Sequence, residues 1–500
     1  MVFQEFEDLN PQYDTSSSIK KLALVASIAA AVHYGWALQL SLLTPYIQLL
    51  GVPHKWAAFV WLCGPISGLL IQPTIGHYSD CCTSRFGRRR PFIVVGAILL
   101  CIAVFLIGFA ADIGHMFGDS LGTRTKPRAV ALFVLGFWIL DISNNLIQGP
   151  CRALLADLCG HNEAKLTIGN SLFAFFMAVG NMIGYALGSY VSFYHLFPFT
   201  KTQACDIYCA NLKTCFICGV FFVIITTTLV VTFVREEALD PSIFPKKGVF
   251  HDEEAQLSFF GQLLLVIGNL PKPMKNLLIV TALNWIGWFP FTMFSTDWMG
   301  KEVYGGQANG NAQDIQLYQL GVWTGTMGLM LYVVVLGTVS LFMEPLVRMI
   351  GNVAKVWGIG NFVLAICMVM TTYITKMAID ARQLVDSTAS KGLITPPPSV
   401  KISSLSLFAI LGIPQAVTYS IPFALASIYS NESGTGQGLG LGVLNLAIVI
   451  PQMFVAVSSG QLDDVYYDSN LPAFLMGAIA AGLSGTLAFT LLSVNQQPTN

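Results

Sequence analysis

Asp141, Asn145, Gln148 and Arg152 stand at i, i+4, i+7 and i+11. At about 100° per residue, eleven steps end roughly 20° past three full turns, so the four side chains share one helix face. An acid and a base on one face offer proton transfer and the recognition of a polar solute. A rise of about 1.5 Å per residue separates Asp141 from Arg152 by about 16 Å along the axis. They cannot form an ion pair within one straight helix; water, a solute or groups on other helices must lie between them. A carboxyl group kept from bulk water favours its neutral form and is able to pick up and release a proton. Asp141 is therefore the candidate proton carrier. Arg152 keeps its charge and presents several donors to oxygen atoms. It is a candidate for holding a solute, or for neutralising Asp141 in one conformation. The competing reading is a polar seam packed against a neighbouring helix, and Pro150 would bend that helix.

Other polar groups in apolar surroundings are fewer. Asn284, Trp288, Thr292 and Ser295 form a second row at i, i+4, i+8 and i+11. His33, Trp36 and Gln39 form a third group. Tryptophan beside hydrogen-bonding groups suits a sugar, whose apolar ring faces stack and whose hydroxyls bond. The competing reading is packing or an interfacial aromatic belt. Asp297, Lys301 and Glu302 follow the second row, either acting at its outer end or simply solvated. His54 is a candidate pH-sensitive group. Gln415 with Tyr419, and Asn445 with Gln452, are weaker pairs. Gly180, Gly184 and Gly188 read as close helix packing.

These residues need helices in a membrane to position them. The 500-residue chain is 54% hydrophobic and only 11% charged, against roughly 25% charged in a typical soluble domain. Its mean hydropathy is +0.64. This excludes a disordered chain, a nucleic-acid binder built on basic patches and an ordinary cytosolic enzyme. A spanning helix needs about 20 mostly apolar residues. Such stretches centre on 22–48, 56–77, 91–111, 129–154, 168–191, 215–234, 276–297, 318–343, 353–374, 403–428, 438–459 and 471–493. The expected fold is an all-α membrane protein of twelve helices, and too little chain remains for a globular catalytic domain. There is no Gly-Lys-Ser/Thr phosphate loop, no His-Glu-x-x-His and no Gly-x-Ser-x-Gly. No enzyme activity, metal or cofactor is expected, so the driving force is an ion gradient or the solute's own.

The charged segment 235–275 splits the stretches six and six. The expected organisation is a tail 1–21, a six-helix bundle 22–234, a linker 235–275, a second bundle 276–493 and a tail 494–500. Residues 1–19 carry Glu5, Glu7, Asp8 and Asp14 and no apolar core, so the first stretch is expected to stay as a helix. Gly35-Trp36 pairs with Gly287-Trp288, and Pro150 with Pro422. Both pair stretch n with n+6, as parallel repeats of a two-half transporter require. The cluster Arg85, Arg88, Arg89 and Arg90 in a short loop places that loop and both termini in the cytoplasm. Cys205, Cys209 and Cys215 then lie outside and suit a disulfide of undetermined pairing. The sequon Asn431-Glu432-Ser433 falls inside.

The string Gly76-His77-Tyr78-Ser79-Asp80, continuing through Arg85-Phe86-Gly87-Arg88-Arg89-Arg90-Pro91, resembles the signature loop of the major facilitator superfamily, Gly-x-x-x-Asp-Arg-x-Gly-Arg-Arg. Extra residues separate Asp80 from Arg85, a variant similar to that of the plant sucrose–proton symporters. Gly35 to Tyr46, Pro53 to Trp56, Trp61 to Pro65, Phe137 to Asp141, Gln148 to Ala153 and Thr296 to Gly300 extend the likeness over about 22–493.

The resemblance implies a plasma-membrane carrier that imports sucrose, and other glucosides, with protons by alternating access. No cofactor and no nucleic acid are expected; its partners are sucrose, protons and the lipid bilayer, with the oligomeric state left open. It implies that Asp141 is the essential acid and Arg152 the substrate-linked arginine. By their own place among the apolar stretches, rather than by the resemblance, Asn145, Gln148, Trp36, Gln39, Trp288 and Asn284 would complete the substrate site. His54, Asp297 and Glu302 would act at the external entrance. Asp80, Arg85, Arg88 and Arg89 would form a cytoplasmic latch that pairs with the start of a neighbouring helix. Cys81, Ser295 and Lys301 depart from the family's usual residues, which bears on gating and rate. An uncoupled sugar facilitator and a sugar-sensing receptor are the alternatives; Asp141 argues against the first, and the absence of a long signalling domain against the second.

Overall fold

A computed structural model describes residues 15–52, 63–121, 125–188, 190, 193–236, 268–307, 311–386, 395–433, 436–465 and 469–492. The first half holds α1 (Ile19–Leu43), α2 (Cys63–Asp80), α3 (Arg90–Gly108), α4 (Pro127–Cys159), α5 (Glu163–Gly188) and α6 (Ile207–Phe233). The second holds α7 (Lys272–Val303), α8 (Ala312–Leu341), α9 (Val353–Asp386), α10 (Pro398–Ser433), α11 (Gln437–Val465) and α12 (Leu471–Leu492). Among the described residues, eleven helices are long and apolar enough to cross a membrane. The other, α2, is the described part of the expected stretch 56–77; residues 53–62 lie outside the description, and His54 with them.

Several helices run past the apolar stretches that announced them. α4 was expected over 129–154 and extends to Cys159; α9 was expected to end at 374 and extends to Asp386. α6 begins at Ile207 rather than 215. Hydropathy marks where apolar side chains stop, whereas the backbone keeps its internal hydrogen bonds until something ends them. Local chemistry sets those ends. Asp206 Oδ1 accepts from the Cys209 N–H and starts α6. Asn311 and Asp314 form a capping box at α8. Lys213, expected in a loop, is consequently a buried residue of α6, paired with Asp112 and donating to the Thr200 carbonyl at 3.1 Å. The disulfide joins Cys205 and Cys209, and Cys215 stays a buried free thiol.

Buried apolar residues form two clusters, one drawn almost entirely from each half. In the first half α1 packs on α5 and α6, α4 on α2 and α3, and α3 on α6. In the second half α7 packs on α11 and α12, α10 on α8 and α9, and α9 on α12. Every pairing of the first set recurs in the second with six added to both labels. The contacts between halves obey the same symmetry: α2 meets α11 as α8 meets α5, and α5 meets α10 as α11 meets α4. The chain is thus two six-helix repeats facing one another across a pseudo-twofold axis.

Candidate functional site

A cavity of about 250 Å³ lies between the halves. From the first half it is lined by His33 and Trp36 of α1, Gln72 of α2, and Asp141, Asn145, Gln148 and Arg152 of α4. The second half contributes Trp285 and Phe289 of α7, Tyr419 and Phe423 of α10, and Leu441, Asn445, Val449 and Gln452 of α11. The structure therefore brings the whole i, i+4, i+7, i+11 row of α4 to one space.

Asp141 is 2% exposed, and its Oδ2 has no hydrogen-bond partner. No ion pair joins it to Arg152 among the described residues. A buried carboxylate oxygen without a donor is costly to leave unpaired. Asn145, one turn along, is fixed. Its Nδ2 donates to Ser67 Oγ at 3.0 Å and to the Asp141 carbonyl at 2.9 Å, while its Oδ1 accepts from Gln72 Nε2 at 2.8 Å. This amide organises the wall and has little hydrogen-bonding capacity left for a solute. His33 hydrogen-bonds to Asn181, and its Nε2 is buried without a partner.

Arg152 lies towards the end of the cavity nearer the chain termini, here called the terminus side. Its guanidinium sits between the rings of Phe173 and Phe423, 3.9 and 3.6 Å from their centroids. Nη1 donates to Asn170 Oδ1 at 3.0 Å and to the Tyr419 carbonyl at 3.4 Å.

Three expected lining residues are elsewhere, which corrects the sequence reading. Trp288 is fully buried in the second half, donating from Nε1 to Thr418 Oγ1 at 3.2 Å beside Phe291 and Tyr332. Trp285, one turn earlier, faces the cavity instead. Asn284 donates to Asn361 Oδ1, and Asn361 donates to Ser484 Oγ at 3.0 Å, a polar thread linking α7, α9 and α12. Gln39 is fully buried in the π-helical turn Gln39–Leu43, with both amide atoms unpartnered. Gln39 lies six residues past His33, about 120° round the helix from it, and so turns away from the cavity. In α7 apolar residues surround both tryptophans, so only packing decides which one faces the cavity.

Asp297 and Glu302 also lie outside the cavity. Asp297 accepts from Tyr318 Oη and from Asn470 Nδ2, both at 2.8 Å, and pairs with Lys301 at 3.2 Å. Glu302 accepts from the Asn470 N–H at 2.7 Å. They bind the end of α7 to α8 and to the start of α12.

On the terminus side the signature loop forms a charged cluster. Arg89 is completely buried, donating to Ser79 Oγ at 2.6 Å, Asp80 Oδ1 at 2.5 Å and Asp157 Oδ2 at 2.9 Å. Burial opposes its charge, but Asp80 and Asp157 outweigh burial and hold it more firmly protonated than a free guanidinium. Arg88 pairs with Asp157 at 3.1 Å. Arg85 is exposed. Asp80 also accepts from the N–H groups of Gly438 and Leu439, at 3.0 and 2.8 Å. A carboxylate of the first half thereby caps the positive end of α11 in the second. Glu236, not singled out from sequence, accepts from the Arg89 and Arg90 N–H groups at the start of α3. The turn it closes needs Gly87, at φ +103°. Asn431 Nδ2 donates to the Gly160 carbonyl at 2.9 Å, a second bond between halves on this side.

A family model for MFS/sugar transport proteins matches residues 24–302. The chain is 49% identical over 480 residues to sucrose transport protein SUC4 of Arabidopsis thaliana, covering 95% of this chain and 90% of that protein. It is 45% identical over 474 residues to sucrose transport protein SUT2 of Oryza sativa subsp. japonica, covering 94% and 92%. Among solved structures it is similar to the major facilitator superfamily transporter FucP in the outward conformation, with TM-score 0.64, 14% identity, and 96% and 100% of the two chains covered. It is also similar to the proton:xylose symporter XylE, with TM-score 0.61, 15% identity and 95% and 96% covered. At these identities the structural likeness is one of fold.

Proposed function

This chain belongs to the plant sucrose transport protein family of the major facilitator superfamily, and from that premise we propose that it carries sucrose and related glucosides together with protons by alternating access. The family is one of transporters, not enzymes. The observation that carries the coupled reading is Asp141: a buried carboxyl group in the cavity wall, with one oxygen unpartnered and, among the described residues, no ion pair to a cation. Asp141 takes a proton from the side opposite the termini. Sucrose then enters, its hydroxyls bonding to Gln148 and Arg152, its ring faces against Trp36 and Trp285. The halves rock, the terminus side opens, and sugar and proton leave together. In the latch, Asp80 and Arg89 hold that side closed until then.

The proposed location is the plasma membrane with both termini cytoplasmic. Sugar attached at Asn431 would reverse that topology. A fluorescent fusion found on the vacuolar membrane would make the same chemistry an exporter from the vacuole. Sucrose-evoked current in oocytes at acidic external pH tests the function. An inward current that shrinks as external pH rises, and that Asp141→Asn abolishes, supports symport. Labelled sucrose uptake without current identifies a facilitator, and binding with neither identifies a sensor.

A further inference from the structure

The rings on either side of Arg152 belong to different halves. Phe173 lies on α5 within the first half's core, and Phe423 lies on α10 within the second's. A guanidinium stacks through its faces and bonds through its edge. Both faces of Arg152 are covered at close range. Part of its edge is held weakly: Nη1 to the Tyr419 carbonyl at 3.4 Å, and Nη2 to Met177 Sδ at 3.6 Å. That edge borders the cavity, which Met177 and Tyr419 also line. Such a group is able to exchange weak acceptors for solute oxygens without leaving its rings.

Eight residues past Arg152 and Phe423, Gly160 at the end of α4 meets Asn431 of α10. The clamp and this bond therefore lie on one closed seam. When the halves part there, α10 carries Phe423 away, while Phe173 remains in the half that holds Arg152.

We infer that Phe173 and Phe423 are positioning residues that form a two-sided aromatic clamp on Arg152, complete only while the terminus side is shut. Resting on the sugar–proton reading above, the inference gives release a physical cause. Sucrose is held by an oriented guanidinium until the terminus side opens. Phe423 then withdraws, the guanidinium loses its fixed plane and affinity falls.

Sucrose-evoked currents recorded from either membrane face, normalised to surface fluorescence, test this. The variants are Phe423→Leu, Phe423→Met, Phe173→Leu and Phe423→Tyr. From the side opposite the termini, Phe423→Leu and Phe423→Met raise the half-saturating sucrose concentration about three- to tenfold. From the terminus side their rise is at least about three times smaller. Phe173→Leu raises it alike from both sides, and Phe423→Tyr stays within about twofold of wild type because its ring is kept. A lower maximal current with an unmoved half-saturating concentration would mark Phe423 as simple packing and overturn the clamp. So would equal shifts from both faces. A wild type without sucrose current overturns the transport reading itself; wild-type current with unmoved variants overturns the clamp alone.

Discussion

The wall contributed by α1–α6 brings His33, Gln72, Asp141, Asn145, Gln148 and Arg152 to the cavity. The wall contributed by α7–α12 brings Trp285, Phe289, Tyr419, Phe423, Leu441, Asn445, Val449 and Gln452 to the same space. The helix pairings behind the two walls are the same, so the difference lies in side chains alone. At Pro150 of α4 the next residues are Cys151 and Arg152; at Pro422 of α10 they are Phe423 and Ala424. Among the described lining residues the first repeat alone supplies charged groups, Asp141 and Arg152, beside Trp36, and the second supplies most of the aromatic faces, beside the amides Asn445 and Gln452. A buried charge gains from polarisable faces that offer no competing proton site. On the proposed function, the first half does the coupling and the second responds to it.

Substitutions that exchange the roles of the walls test this division. Asp141→Asn removes the only carboxylate among the described cavity-lining residues and has the largest effect, a loss of sucrose-evoked current of about 100-fold or more, read by voltage clamp. Arg152→Lys keeps a charge but loses the planar fork and its stacking, and raises the half-saturating sucrose concentration about tenfold. The two tryptophans of α7 sharpen the contrast. Trp285→Leu raises that concentration about fivefold with normal surface amounts, because Trp285 faces the cavity. Trp288→Leu leaves the concentration nearly unmoved and lowers the folded amount, through about 2–4 kcal/mol of lost packing, seen as a lower melting temperature. The smallest effect is expected at the latch. Arg88→Gln removes one partly exposed pair with Asp157, worth about 1 kcal/mol or less. Its signature is a few-fold shift in which face of the cavity a thiol reagent reaches; unchanged labelling would sink the latch.

Much of this was legible in the sequence, and the two walls differ in that respect too. The α4 row was readable because charged and amide groups in an apolar stretch are rare, and their spacing fixes a face. The aromatic wall was not. In α7 apolar residues lie on every side, so Trp285 and Trp288 are indistinguishable until α8, α10 and α11 pack around them. Phe423 gave no signal at all, since its partner Arg152 is on another helix in the other half. Gln39 misled because it stands six residues past His33, about 120° round an ideal helix from it, and so lies off the face that His33 presents to the cavity. Helix ends were missed where capping groups such as Asp206, rather than hydropathy, decide them.

The most direct test of the account is sucrose accumulation by purified protein in proteoliposomes under an imposed pH gradient, wild type beside Asp141→Asn. Wild type should concentrate labelled sucrose with the inward proton gradient. The variant should still exchange labelled for unlabelled sucrose at equal concentrations but accumulate none. Accumulation by Asp141→Asn equal to wild type would contradict the account, because the proton would then travel without the carboxyl group that Asp141 provides to the cavity.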